Sequence, residues 1–240
     1  MIPSWHTVIE RLSSIAAVVL ILLSLWLIFM EVPNEQVMGA VQRIFYFHVG
    51  AAIAAYLAFA AAFITGVLFL LNKEPLHDAI NEAAGEVGFV LCSMVLISGM
   101  IWGHSAWNTW FRWEPRLITF LLLWLIFLAF VILRAFGDEE TGSAHAAILS
   151  IIGSATVPLV WLSVKLLPQA AQLHPQVIEH QGLRHPLFIV ALLTSIVALV
   201  SLTTWLVALR SRLGLLERAL PQRCRVTRLS SLFVQSPLSQ

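Results

Sequence analysis

The sequence predicts an all-α polytopic membrane protein: a bundle of six transmembrane helices with a tryptophan-rich external loop. Three observations predict it. The 240 residues are 59% hydrophobic and only 11% charged, where soluble domains carry roughly 25% charged residues. Mean hydropathy is +0.87. Six apolar runs, near 12–30, 47–71, 85–102, 117–136, 146–166 and 187–209, approach the roughly 20 residues that a helix needs to cross a bilayer.

The first run is too long for a signal-peptide core and lacks a small-residue cleavage pattern, so it is expected to stay as the first span. The connections cover 31–43, 72–84, 102–116, 137–145 and 167–186. One transmembrane domain over 1–210 and a basic tail over 211–240 are expected. With six spans both termini share a side. That side would hold Arg11, Lys73, Arg134 and six arginines from Arg210 onward, against Arg43, Arg112, Arg116, Lys165 and Arg184 on the other. The bias places both termini in the cytoplasm and lays the basic tail on an anionic leaflet. The first, third and fifth connections then meet on the outer face, while His77 and His145 face the cytoplasm.

Composition also excludes. No basic, aromatic-interleaved segment points to nucleic acid. The two cysteines, Cys92 and Cys224, form neither CxxC nor CxxCH. A disulfide framework, a thiol redox motif and covalent haem attachment are therefore unsupported.

The third connection, WGHSAWNTWFRWEPR over 102–116, carries Trp102, Trp107, Trp110 and Trp113, four of the chain's nine tryptophans, beside His104, Arg112, Glu114 and Arg116. One reading is an aromatic belt at a membrane interface. The other is a platform for a large planar apolar ligand with anionic groups, whose faces stack on the rings and whose carboxylates pair with arginine. Haem has that description. Trp107, Trp110, Phe111 and Glu114 follow helical spacing, so a short interfacial helix would put three rings on one face. Pro115 marks the entry to the fourth span.

His48 lies in QRIFYFHVGAA, at or just inside the outer end of the second span. An ionisable residue entering hydrocarbon is either a satisfied interfacial side chain or part of a ligand site, and neutral imidazole is the commonest metal ligand. The fifth connection adds His174, His180 and His185, among which spacing does not choose. Gly85, Gly88, Ser93, Ser98 and Gly99 make the third span a close-packing helix. Pro158 is a kink candidate in the fifth, and 137–145 reads as a solvated turn.

WGHSAWNTWFRWEPRL resembles the tryptophan-rich (WWD-type) signature of the haem-handling family of cytochrome c biogenesis proteins, in its six-span CcmC type. Trp102-Gly103, Trp107, Thr109, Trp110, Trp113, Pro115, Arg116 and Leu117 fall on the family's positions, with Glu114 where the family usually has Asp. QRIFYFHVGAA is similar to the segment with the family's first external histidine, and PLVWLSVKLLPQAAQLHP to the segment ending in its second. Phe111, Gly50 and the pair Leu166-Leu167 depart from the pattern, and about three extra residues precede His174. The resemblance implies His48 and His174 as axial iron ligands, with His180 and His185 as fallback positions. Trp102, Trp107, Trp110, Trp113 and Glu114 would form the platform, and Arg112 or Arg116 would face a propionate. It implies noncovalent, b-type haem, presented at the outer face of a bacterial plasma membrane to a periplasmic haem chaperone. ABC-type transporter subunits and a small single-span protein would assist, and no bond-making catalysis is implied.

Two other functions fit the sequence less well. A b-type quinol oxidoreductase needs histidine pairs inside spans, and no predicted span holds two. A small-solute transporter needs buried polar residues or broken helices near the midplane, where these spans offer mainly Ser and Gly.

Overall fold

The computed structural model describes residues 4–137, 141–166 and 185–219, with the side chains of 4 and 164–166 left aside. Long apolar runs without interior proline become helices because lipid leaves backbone amides no partner except their own chain. The helices are α1 (Ser4–Trp26), extended by a π-turn over Leu27–Glu31, then α2 (Arg43–Asn72), α3 (Pro75–Trp107), α4 (Pro115–Phe136), α5 (Gly142–Ala155), α6 (Val157–Leu166) and α7 (Pro186–Ala219). They supply six segments long and apolar enough to cross a membrane, α5 and α6 forming one between them. The six-span bundle expected from hydropathy is therefore the fold. The fifth span breaks where Pro158 follows Thr156: the proline has no N–H to continue the α5 ladder, and the Thr156 amide and hydroxyl turn back onto the Gly153 carbonyl at 3.0 and 2.6 Å.

Two expected connections are mostly helix. The second shrinks to Lys73 and Glu74. Lys73 closes α2 in the left-handed region, φ 58°, and Pro75 opens α3 at its first turn, a position where a missing N–H costs nothing. The third begins at Asn108, because α3 runs on through Trp102 to Trp107. The helix α7 likewise continues past Arg210 to Ala219.

The helices α2, α3 and α7 pack on one another. The helix α5 lies against α2, α4 against α3 and α5, and α1 chiefly against α7. Glycines set the closest approaches. A Cβ at Gly88 would stand 2.5 Å from Phe59, whose ring stacks on Phe127 at 3.9 Å. A Cβ at Gly85 would strike Phe130. Packing and interhelical hydrogen bonds, rather than hydrophobic exclusion, hold helices together in lipid. Ser154 donates to the Phe59 carbonyl at 2.7 Å, Trp124 Nε1 to Ser93 at 2.8 Å, and Ser195 to the Tyr46 carbonyl at 2.9 Å.

The end carrying both termini is closed by charge. Arg134 of α4 donates to Asp78 at 2.7 Å and to Asn81 at 2.9 Å, both on α3. Ser143 of α5 donates to the same aspartate at 3.0 Å. Arg218 of α7 pairs with Asp78 and Glu82, and Arg210 with Glu82 and Glu86, at 2.7–2.9 Å. His6 and Glu10 of α1 meet Ser211 and Arg212 of α7, each at 3.1 Å. Each acid thus meets a cation from another helix, which is how charge survives near hydrocarbon.

Candidate functional site

At the opposite end the side chains change character. A second apolar cluster gathers Ile28, Val32, Phe45, Tyr46, Trp102, Phe188, Ala191 and Leu192. It joins the π-turn after α1, the start of α2, the end of α3 and the start of α7. The first and third connections and His185 therefore lie at one end of the bundle, as expected from loop parity.

His48 sits one turn into α2 and turns towards α3. Its Nδ1 is 3.0 Å from the Ser98 hydroxyl. Its ring lies against Gly99, where a Cβ would stand 3.1 Å from Cε1. It meets the Trp102 indole edge-on, centroids 5.9 Å apart. Positions 98 and 99 share a face of α3 with 102 because they stand four and three residues before it. The residue is half-buried, and the Arg116 guanidinium at the start of α4 is within electrostatic reach of it and of Tyr56.

The four tryptophans do not form one sheet of rings. Trp102 is buried, packed edge-to-face with Phe45 at 5.9 Å and beside Trp107 at 6.1 Å. Its Nε1 is buried without a hydrogen-bond partner. Trp110 stacks flat on His104, centroids 4.1 Å apart and 6° from parallel, and is 55% exposed. Trp113 packs edge-on to Phe111 at 5.3 Å and is 77% exposed.

The expected interfacial helix through Trp107, Trp110, Phe111 and Glu114 does not form. Asn108 takes the left-handed region, φ 53°, and its amide closes onto the His104 carbonyl at 2.9 Å, capping α3. Asparagine tolerates that region and ends helices there. The chain then folds back so that the Thr109 carbonyl approaches Gly103, where a Cβ would stand 3.0 Å away. Glu114 is the extended residue before Pro115, buried, with the half-exposed Arg112 at 3.8 Å. Arg112 is thus drawn to an acid of its own loop, while Arg116 lies on the His48 side.

His174 and His180 lie outside the described residues. His185 is exposed at the start of α7, where its Nδ1 accepts from the Leu187 amide at 3.3 Å and its ring packs on Phe188 at 5.6 Å. Among the described residues no three His, Cys, Asp or Glu side chains converge in a metal-holding group. A lone imidazole still suits haem iron, because porphyrin supplies four nitrogens and the protein only the axial positions. Two contributors were missed as site residues: Ser98 and Gly99 read as packing positions, and nothing in their local pattern marks a histidine opposite.

Comparison with known proteins follows the same lines. Residues 3–226 match the family described as CcmC, Heme exporter protein C. The chain is 32% identical over 123 residues to the Heme exporter protein C of Paracoccus denitrificans, covering 51% of each chain. It is 33% identical over 144 residues to a putative cytochrome c biosynthesis ccmC-like mitochondrial protein of Marchantia polymorpha, covering 60% of this chain and 59% of that one. With the Heme exporter protein C of Escherichia coli K12 it shares 29% identity over 134 residues, 55% of each. The matched stretch spans about half the length of these relatives. The family match, by contrast, runs over nearly the whole chain, and on that ground the protein belongs to the CcmC, Heme exporter protein C, family.

Proposed function

We propose that the protein binds haem at the aromatic end of its bundle and presents it there to a haem chaperone during maturation of c-type cytochromes. The observation that carries the reading is His48, held by Ser98, Gly99 and Trp102 at the end where Trp110 and Trp113 stand exposed. Family membership and the printed names of the relatives support it. The chemistry asked of such a site is capture and release. Imidazole provides a bond to iron that a competing ligand can displace, exposed rings provide stacking surface, and Arg116 provides a charge for a propionate.

In this proposal His48 is one axial ligand and His174 the other, with His180 and His185 as substitutes. Trp102 and Trp107 form the inner wall, Trp110 and Trp113 the outer platform, and Glu114 orders Arg112 beside them. The haem is b-type and noncovalent. The aromatic end faces the periplasm of a bacterial inner membrane and both termini face the cytoplasm. ABC-type subunits and a small single-span protein complete the assembly. Transport of another solute and quinol oxidation are not favoured.

The test is an absorption spectrum of the purified protein, oxidised and reduced. Wild type is expected to show a Soret band that denaturation releases as free haem. His48→Ala and His174→Ala should each shift the spectrum and lower haem content severalfold. Unchanged content and spectrum in both would sink the ligand assignment.

A further inference from the structure

We propose that Ser98 is a positioning residue that fixes the tautomer of His48, placing the ring proton on Nδ1 and leaving Nε2 unprotonated for iron. The inference deepens the haem-binding reading and rests on it for its purpose, though not for its geometry.

A serine hydroxyl has one hydrogen to give and lone pairs to accept with. Ser98 Oγ lies 2.7 Å from the Met94 carbonyl one turn back in α3, and 3.3 Å from that of Val95. A carbonyl only accepts, so the Ser98 proton is committed to its own helix, as is usual for serine in a helix. The 3.0 Å contact with His48 Nδ1 must then run the other way: Nδ1–H donates and Ser98 Oγ accepts. A neutral imidazole protonated at Nδ1 carries its free electron pair on Nε2. In metal-binding histidines the hydrogen bond made by one nitrogen sets the tautomer and aim of the other.

Gly99 completes the cradle. Its missing Cβ leaves room for the Cε1–Nδ1 edge of the imidazole against α3, and Trp102 meets the ring edge-on one turn further. The ring is thus held from three consecutive contacts on one helix. Haem affinity then depends on a hydroxyl that touches neither iron nor porphyrin.

The experiment separates this claim from the one beneath it. The tautomer is read in haem-free protein by solid-state NMR with 15N-labelled histidine, at a pH where the ring is neutral, with His48 assigned by difference against His48→Gln. Wild type is expected to show protonated Nδ1 and bare Nε2. Ser98→Ala should bring up the Nε2–H form, and Ser98→Thr should restore the wild-type pattern, since threonine keeps both the back-bond and the acceptor. In haem titrations followed by EPR and Soret position, Ser98→Ala should bind about 10–100-fold more weakly, as loss of an outer partner does at other metal sites, with altered axial-ligand signals. Ser98→Thr should be near wild type. A wild-type His48 protonated at Nε2, or a Ser98→Ala protein with unchanged tautomer and affinity, overturns the proposal. If His48→Ala leaves the haem spectrum intact while the Ser98 effect on tautomer stands, the ligand reading falls and takes the purpose of Ser98 with it.

Discussion

The two ends of the bundle solve the polar-group problem in opposite ways. At the termini end, Asp78, Glu82 and Glu86 from α3 face Arg134, Arg210 and Arg218 from α4 and α7, each acid against a cation of the same chain. At the aromatic end Trp110 and Trp113 stand exposed, 55% and 77%, with no such set of charge pairs among the described residues. One end spends its polar chemistry on joining helices; the other leaves ring faces exposed. The difference teaches where change should be read as stability and where as ligand binding.

The largest expected effect comes from Asp78→Ala. It takes the carboxylate from Arg134, whose side chain is 6% exposed and keeps only neutral partners in Asn81 and Ser143, and breaking a buried pair from one side costs about 3–5 kcal/mol. Denaturation in mixed micelles should register that loss, while the haem spectrum of the surviving folded protein stays as in wild type. A loss near zero would mean the termini end is wetter than its geometry implies. Trp102→Phe keeps an apolar ring and removes an unpartnered donor. The smaller ring leaves part of the indole's space empty, so the change should cost about 1–3 kcal/mol, and it should weaken haem binding in titration. Equal haem affinity would remove Trp102 from the site wall. Arg210→Met breaks pairs that are about one-third exposed, so screening limits the loss to about 1 kcal/mol or less. A larger shift in the same denaturation assay would show that the network acts as a unit. Trp113→Ala changes a side chain that is 77% exposed. Stability should move by less than about 0.5 kcal/mol while haem release quickens in stopped-flow transfer to an apo-acceptor. If stability falls and release is unchanged, the contrast between the ends fails at that residue.

The span count was legible because hydrocarbon imposes one rule on every helix, and apolar length alone reports it. The ends of α3 and α7 were not. Asp78, Glu82, Glu86, Arg210 and Arg218 depress local hydropathy, so a reading by windows stops short of them. Arg210 and Arg218 meet acids more than a hundred residues away and Arg134 meets Asp78 across 56, so only packing shows that opposite charges meet. At the site, His48 and the tryptophans stood out by type, and loop parity put them at one end. The turn at Asn108 had a signal that helical spacing outweighed: asparagine just after a helix, with Thr109 and Pro115 beyond, is a stop. Ser98 gave no comparable sign, since a serine in a helix ordinarily bonds its own backbone. Its second role exists only because α2 sets an imidazole opposite.

The pairing of α1 with α7 has a consequence in time. Some 160 residues separate the end of α1 from the start of α7. At about 5–20 residues per second of synthesis, α1 waits roughly 10–30 s in the bilayer before its main neighbour exists. Two of its partly exposed hydroxyls are suited to the wait: Ser13 and Ser14 donate to carbonyls of their own helix, Ile9 and Arg11, at 2.6 and 2.8 Å. His6 and Glu10 are not, because their partners Ser211 and Arg212 come 205 and 202 residues later. Both lie in the first two turns of α1, close to the headgroups, where water can serve until α7 arrives. The order of translation thus sets which polar residues α1 can carry and how deep they can lie.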